Sequence, residues 1–200
     1  MPPDNFIAAL LVENTDPNGK HLEYRDMEGT VFARMAKVYR KGGLFNLFPK
    51  DNHVHAELRN AEDELLLTTI SYRGDTPRER KVEINTLSGI VLANLYDAPF
   101  GADFEAADGT VLGMARRPED SRSTQKEVAY IYTDASGEVV GTCERRYPNQ
   151  SDSLLDFLSG TSLWGMSVEV LALDSDLDPL LQTMLFLFPA LQYLRFSRNG

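Results

Sequence analysis

The segment LDPLLQTMLFLFPALQYLRF, residues 177–196, is almost entirely apolar and stands near the end of a 200-residue acidic chain. Asp178 is a favourable helix N-cap residue and Pro179 suits the first helical position, so the segment predicts a helix. Residues 179–194 are 16 positions without a charge. As a helix they span roughly 24 Å, less than the roughly 30 Å of a bilayer's hydrocarbon core. We therefore expect no transmembrane span.

Apolar side chains would cover every side of this helix. Leu180 and Met184 share one side, while Phe186 and Leu187 fill others. A helix that is apolar all round has to be enclosed by lipid or by protein. Because the segment is short for a bilayer, we expect a central helix over residues 177–197 that forms the core of the domain. Insertion into a membrane and a dimerisation face are the alternatives.

Five windows of the chain share one pattern: an aromatic or aliphatic start, a polar stretch, Gly or Asp, and a Val/Leu-rich run. They are YRDMEGTVFA from Tyr24, LRNAEDELLL from Leu58, INTLSGIVLA from Ile84, FEAADGTVLG from Phe104 and YTDASGEVVG from Tyr132. Since Gly, Asn and Asp tolerate positive φ, each window predicts a β-hairpin. The starts are 34, 26, 20 and 28 residues apart, which is too irregular for a solenoid and favours an antiparallel meander.

The meander is expected over residues 22–173 of one domain that covers residues 1–200. An N-terminal segment, residues 1–21, precedes it, and its apolar run predicts a buried strand or a short helix. Residues 151–160 predict another short helix, and residues 164–173 a further strand. Ten or more strands in one sheet would close to remove their edges. The sequence therefore predicts a mainly β domain, a closed antiparallel barrel around the apolar helix.

Composition limits the partners and the compartment. The formal net charge is -10, so no attraction to nucleic acid is expected from the overall field. The single cysteine, Cys143, excludes an internal disulfide and fits a reducing, cytoplasmic compartment. Peripheral association with a membrane is compatible with this expectation.

The order of these elements resembles the scramblase-type branch of the tubby C-terminal-like superfamily, which includes phospholipid scramblase-like and LURP-one-related proteins. The resemblance rests on the five hairpins, the Trp164-Gly165 pair, the Asp-Leu-Asp junction at 176–178 and the closing apolar helix, and it covers residues 22–197. It implies a barrel of about twelve strands around a central C-terminal helix. It also implies a family without an established catalytic centre, since tubby proteins bind phosphoinositides and scramblases are associated with calcium and lipid movement.

Basic residues occur in four groups that could form a ligand site. They are Lys37, Arg40 and Lys41; Arg78, Arg80 and Lys81; Arg116 and Arg117; and Arg145 and Arg146. If several strand ends gather at one rim, such residues can hold a lipid headgroup through bidentate guanidinium contacts. We expect an anionic phospholipid headgroup, phosphoinositide-like, or a protein partner at this site. An ordinary solvated surface is the alternative.

Metal binding has one candidate segment, DSDLD at residues 174–178. Asp174, Asp176 and Asp178 supply hard oxygen ligands of the kind that calcium requires. An EF-hand is excluded, because Pro179 would stand where that loop needs Gly and Leu185 where it needs Glu. Helix capping is the alternative role. No other cofactor is expected.

Motifs typical of enzymes do not occur in the sequence. There is no phosphate-binding Gly-rich loop, no G-x-S-x-G, no H-E-x-x-H and no zinc-ligand spacing. Cys143 has no adjacent base and predicts a structural thiol. We therefore favour a non-enzymatic binding or scaffold module. A membrane-associated, calcium-dependent phospholipid scramblase is the first alternative, and a barrel that carries a small ligand is the second.

Overall fold

A computed structural model describes residues 6–16, 19–38, 53–118, 127–146 and 168–196 of the chain. These residues form twelve strands and one helix. The strands are β1 (Phe6–Asp16), β2 (Gly19–Arg25), β3 (Val31–Val38), β4 (Val54–Asn60), β5 (Leu65–Ser71), β6 (Lys81–Asn85), β7 (Val91–Ala98), β8 (Gly101–Ala106), β9 (Val111–Arg116), β10 (Glu127–Asp134), β11 (Val139–Arg146) and β12 (Val168–Asp174), and the helix is α1 (Pro179–Phe196). The short helix expected at 151–160 lies outside the described residues.

Strands β2 to β12 form one long antiparallel sheet in which each strand pairs with its neighbours along the chain. Strand β1 pairs with β12 over Phe6–Leu11 and with β2 over Leu10–Asp16. The apolar run of the N-terminal segment is therefore part of a strand and not of a helix. The expectation of a mainly β, antiparallel domain with a C-terminal helix is confirmed.

All five predicted hairpins are present, and they share one turn. In the first, the Gly29 N–H donates to the Asp26 carbonyl at 3.0 Å and the Asp26 N–H to the Thr30 carbonyl at 3.0 Å. The other four turns repeat both bonds. The same position of each turn has positive φ: Gly29, Asp63, Gly89, Gly109 and Gly137. Type I turns followed by a left-handed residue have this geometry, which explains why Gly recurs in four of the windows.

Each hairpin also contains a bulge that the sequence pattern did not predict. The register skips the second residue of the outgoing strand every time; the skipped residues are Phe32, Leu66, Leu92, Leu112 and Val140. A bulge places two consecutive side chains opposite one residue of the partner strand and bends the strand. The bulged residue Phe32 contacts the rings of Tyr24 and Phe186, at centroid distances of 6.2 and 5.8 Å.

Helix α1 begins where the sequence predicted. The Asp178 carboxylate accepts hydrogen bonds from the N–H groups of Leu180 at 2.9 Å and Leu181 at 3.1 Å, which is N-capping. Pro189 stands inside the helix and has no N–H to donate. A further bond ties the helix to the sheet, because the Tyr24 hydroxyl donates to the Phe186 carbonyl at 3.1 Å.

Helix α1 packs against several strands of the sheet. Its buried side chains lie on all sides, with Met184 and Phe188 on one side, Leu187 and Ala190 on another and Pro189 on a third. It contacts the three adjacent strands β7, β8 and β9, and also β3 and β12, which lie away from them in the strand order. The helix is therefore the centre of the hydrophobic core. Among the described residues, no helix combines the length and the apolar character that crossing a bilayer requires.

Candidate functional site

Antiparallel pairing sorts the loops into two ends of the sheet. The hairpin end carries the turns at 26–30, 61–64, 86–90, 107–110 and 135–138 and the β12–α1 turn at 175–178. The connection end carries the β5–β6 loop at 72–80, the β7–β8 turn and the residues that follow β9. Helix α1 runs from the hairpin end to the connection end, because it follows the turn at 175–178.

The two ends have opposite charge. The six turns of the hairpin end contain nine Asp or Glu residues and no Lys or Arg. Those predicted basic residues that the structure describes lie instead in strands or loops at the connection end. The sequence alone could not predict that these basic residues share one end of the sheet. The antiparallel pairing puts the last residues of β3, β9 and β11 and the first residues of β6 at the connection end.

A cleft of about 380 Å³ opens at the connection end. It is lined by Pro77, Arg80, Asp97, Ala98, Pro99, Phe100, Gly101, Arg117, Tyr130 and Gln192. The lining comes from the β5–β6 loop, the β7–β8 turn, the segment after β9, strand β10 and the last turns of α1. Two of the ten predicted basic residues, Arg80 and Arg117, therefore meet in one concave site.

A single helical turn in the β5–β6 loop positions Arg80. The Glu79 carboxylate accepts hydrogen bonds from the N–H groups of Asp75 at 2.9 Å and Thr76 at 3.1 Å. These backbone bonds, first that of Thr76, hold the pKa of Glu79 below its usual value. The Arg80 N–H donates to the Thr76 carbonyl at 3.0 Å. The arrangement resembles a capping box, for which Thr76-Pro-Arg-Glu79 is a suitable sequence.

Arg117 is held against an aromatic ring. Its guanidinium carbon lies 5.6 Å from the centroid of the Tyr130 ring, and Nη2 lies 3.5 Å from the Tyr130 hydroxyl. Neither Arg80 nor Arg117 forms an ion pair with a carboxylate of the described residues. Asp97 also lines the cleft, so the charged residues of its lining are two arginines and one aspartate. An anion with several oxygen atoms suits this arrangement.

Phe100 projects beside the two arginines. Its side chain is 78% exposed, and its backbone has φ 59°, a left-handed conformation that is unusual for a bulky residue. The Arg117 N–H donates to the Phe100 carbonyl at 2.8 Å and holds the turn in place. An exposed ring in a strained turn is a candidate for contact with a ligand or a surface.

Four of the predicted basic residues are engaged with carboxylates. Arg78 contacts Glu105 at 2.7 Å, Lys81 contacts Glu83 at 2.6 Å, Arg145 contacts Glu169 at 2.7 Å, and Arg116 pairs with Asp103. Arg116 also donates to the carbonyls of Ala102 and Ala115 at 2.7 and 2.9 Å. These contacts give the four residues a structural role.

The remaining predicted residues are only partly described. Lys37 lies in β3, and burial together with repulsion from Arg73 lowers its pKa. Arg40 and Lys41 lie outside the described residues, and Arg146 ends β11 without a described side chain. The proximity of Arg73, which was not predicted, extends the positive charge of the connection end.

The expected calcium ligands do not come together as a site. Asp178 caps α1, and the Asp174 carboxylate accepts the Asp176 N–H at 3.0 Å. Across the described parts of the chain, no group of three His, Cys, Asp or Glu side chains could hold a metal ion. Helix capping therefore accounts for Asp178, while Asp174 stabilises the turn between β12 and α1.

The cleft also contains residues that sequence reasoning missed. Phe100, Tyr130 and Gln192 belong to three separate elements, and only the fold brings them together. Phe100 carried a local signal, because it stands between Pro99 and Gly101 in a turn, where a large apolar side chain has little reason to be buried. Comparison of the chain with protein-family models, curated proteins and solved structures finds no match.

Proposed function

We propose that this protein is a binding module that recognises a phosphorylated, phosphoinositide-like lipid headgroup in the cleft at the connection end. The observation that carries the proposal is the pair Arg80 and Arg117, whose guanidinium groups line one cleft of about 380 Å³ without a carboxylate partner among the described residues. Guanidinium groups bind phosphate oxygens in bidentate fashion.

A lipid headgroup explains the surroundings of the cleft better than a free phosphate does. Phe100 is 78% exposed at its rim, where an aromatic ring could enter the interface while the arginines reach the headgroup. The nine acidic residues of the hairpin end would be repelled by an anionic surface, so the charge distribution favours docking with the connection end first.

The proposed architecture is a closed barrel of twelve strands around α1, as the resemblance to the tubby C-terminal-like superfamily implies. Support comes from β1, which pairs with both β12 and β2, and from the burial of α1 among distant strands. A barrel that carries a small ligand needs an open interior. Here the side chains of α1 occupy the interior. Scramblase activity has no comparable observation in its favour.

Co-sedimentation with lipid vesicles tests the proposal. We expect the full-length chain to bind phosphatidylcholine vesicles that contain phosphatidylinositol bisphosphate and not vesicles of phosphatidylcholine alone, with calcium and without it. Replacing both arginines (Arg80→Ala, Arg117→Ala) should weaken binding at least about tenfold. Arg59→Ala removes one positive charge at the hairpin end and should leave binding unchanged. Equal binding by the double variant and the wild type would exclude the cleft.

A second variant separates a membrane surface from a soluble headgroup. Asn tolerates positive φ, so Phe100→Asn removes the ring and keeps the turn. We expect this variant to lose vesicle binding and to retain the affinity for soluble inositol trisphosphate in a calorimetric titration. If Phe100→Asn binds vesicles as tightly as the wild type, the ring is not part of the interface and a free phosphate compound is the better ligand.

A further inference from the structure

A second cavity, of about 370 Å³, opens at the hairpin end. Its lining includes Tyr24, Phe32, Leu66, Gln182 and Phe186. Its walls are the β2–β3 hairpin, the β4–β5 hairpin and the first turns of α1. The cavity lies at the opposite end of α1 from the basic cleft, so it is a separate site.

The aromatic wall of this cavity is fixed in position. The rings of Tyr24 and Phe186 have centroids 5.4 Å apart, and the hydrogen bond from the Tyr24 hydroxyl to the Phe186 carbonyl joins strand and helix. Phe32 and Leu66 are bulged residues, and they remain 39% and 43% exposed. Two large apolar side chains thus line the cavity and remain accessible to solvent. Accessible apolar side chains in a concave surface are typical of a binding site.

The turns beside the cavity are acidic. The β2–β3 and β4–β5 turns carry Asp26, Glu28, Glu62, Asp63 and Glu64 and no basic residue. The bases that flank these turns are already engaged: Arg25 pairs with Glu23 at 2.5 Å, and Arg59 contacts Glu57 at 2.7 Å and lies 3.9 Å from Asp63.

Two of these carboxylates are available for a partner. Glu28 and Glu62 are exposed, and neither pairs with a basic group of the described residues. They stand on the two hairpins that form the walls of the cavity, one on each.

The cavity also contains a polar group without a partner. Gln182 lines it, and the Nε2 atom of its amide is buried with no hydrogen-bond acceptor among the described residues. A buried donor that lacks an acceptor costs free energy. Because this atom is inaccessible, a bound chain could offer it an acceptor only if the Gln182 side chain changed its rotamer.

We infer that this cavity docks a basic segment of a partner protein. The segment inserts a large apolar side chain between α1 and the two hairpins, and its flanking lysine or arginine residues pair with Glu28 and Glu62. Charge complementarity selects this occupant, because an acidic peptide, a fatty acid or an anionic membrane would meet the repulsion of the hairpin end. The volume suits one or two large side chains rather than a whole protein surface.

Fluorescence anisotropy with labelled synthetic peptides tests the inference on the full chain. The probe is a short peptide with one Trp flanked by lysines. Matched peptides replace the Trp by Ser or the lysines by Glu. We expect the first peptide to bind at least about tenfold more tightly than either of the others. Equal affinity for the Glu-containing peptide, or no binding of the first peptide, would overturn the inference.

Two pairs of variants assign binding to this cavity. The double variant Glu28→Lys, Glu62→Lys should weaken binding at least about tenfold, while Glu138→Lys, in the turn of the distant β10–β11 hairpin, should not. Leu66→Ser should also weaken binding, while Leu87→Ser, which changes a 62% exposed residue outside the cavity, should not. If the control variants lose binding as well, the effect is not specific to this cavity. If all four variants bind as the wild type does, the cavity is not the site. If the protein instead prefers a neutral fatty alcohol, and charge reversal does not change that binding, the cavity is a small-molecule pocket and not a docking site for a basic segment.

Discussion

At the residue scale, Gly101 shows how closely two strands approach beside the basic cleft. A Cβ atom on Gly101 would lie 1.8 Å from the carbonyl oxygen of Ala115, a distance that no real contact allows. Gly101 follows Phe100 directly, so the same close approach fixes the turn that carries the exposed ring. The packing of β8 against β9 and the position of Phe100 in the candidate site therefore both depend on Gly101.

We predict that Gly101→Ala destabilises the protein by about 1–3 kcal/mol or more, because the strand has to move away from β9. Gly109→Ala is a suitable control, since a Cβ there meets nothing within 4 Å and only the positive φ of 88° is unfavourable. That control should cost about 1 kcal/mol. Urea unfolding measures both. A Gly101→Ala variant as stable as Gly109→Ala would contradict the close packing.

Cys143 is a buried thiol in a polar part of the core. It is fully inaccessible, its Sγ lies 3.6 Å from a carboxylate oxygen of Glu169, and Tyr24 and Tyr132 are also fully buried nearby. Burial is the main cause that raises the pKa of all three groups above their usual values. The burial that a structural thiol requires is therefore present.

This burial predicts a loss of stability in alkaline solution. The unfolded thiol releases its proton above about pH 8.5 while the folded one keeps it, so the unfolded state binds fewer protons and stability falls as pH rises. The expected slope is about 1.4 kcal/mol per pH unit from Cys143, and it steepens when the tyrosines titrate above about pH 10. Urea unfolding of wild type and Cys143→Ala between pH 7 and pH 10 measures the difference. Identical pH profiles would show that the thiol is not buried as described.

At the element scale, α1 and the hairpins depend on each other. Phe188 packs edge to face against Phe104, Tyr130 and Tyr132, at centroid distances of 5.7, 4.7 and 6.3 Å. Its partners belong to β8 and β10. One helical side chain thus packs across β9 and joins the strands on either side of it.

We predict that Phe188→Ala costs about 3–5 kcal/mol of the free energy of unfolding, the usual range for a fully buried ring. Tyr193→Ala on the same helix changes a 39% exposed side chain and should cost less than about 1.5 kcal/mol. Chemical denaturation followed by circular dichroism distinguishes them. Similar small effects for both variants would mean that α1 is not the centre of the core.

The hairpins and the helix could be predicted from the sequence because their signals are local. A Gly at a left-handed turn position and an Asp at an N-cap act within a few residues. The bulges left a weaker trace: consecutive apolar residues such as Val31-Phe32 and Leu65-Leu66 interrupt the alternation of a strand. No local pattern in the sequence predicts the cleft, because Arg80 and Arg117 are brought together only by the pairing of several strands.

At the scale of the whole molecule, two opposed sites lie on one axis. The basic cleft and Phe100 are at the connection end, and the acidic turns and the apolar cavity are at the hairpin end. Helix α1 contributes Gln192 to the first and Gln182 to the second. A module that binds an anionic surface at one end would present the other end to a basic partner.

Chemical-shift mapping tests the central claim most directly. A ¹⁵N-labelled sample of the full chain would be titrated with a short-chain, water-soluble phosphatidylinositol bisphosphate. We predict that the backbone amide shifts cluster at Arg80, Phe100, Gly101 and Arg117, while Gly29, Asp63 and the other turns of the hairpin end stay unchanged. Shifts centred on the hairpin end, or none at saturating lipid, would contradict a headgroup site in the cleft.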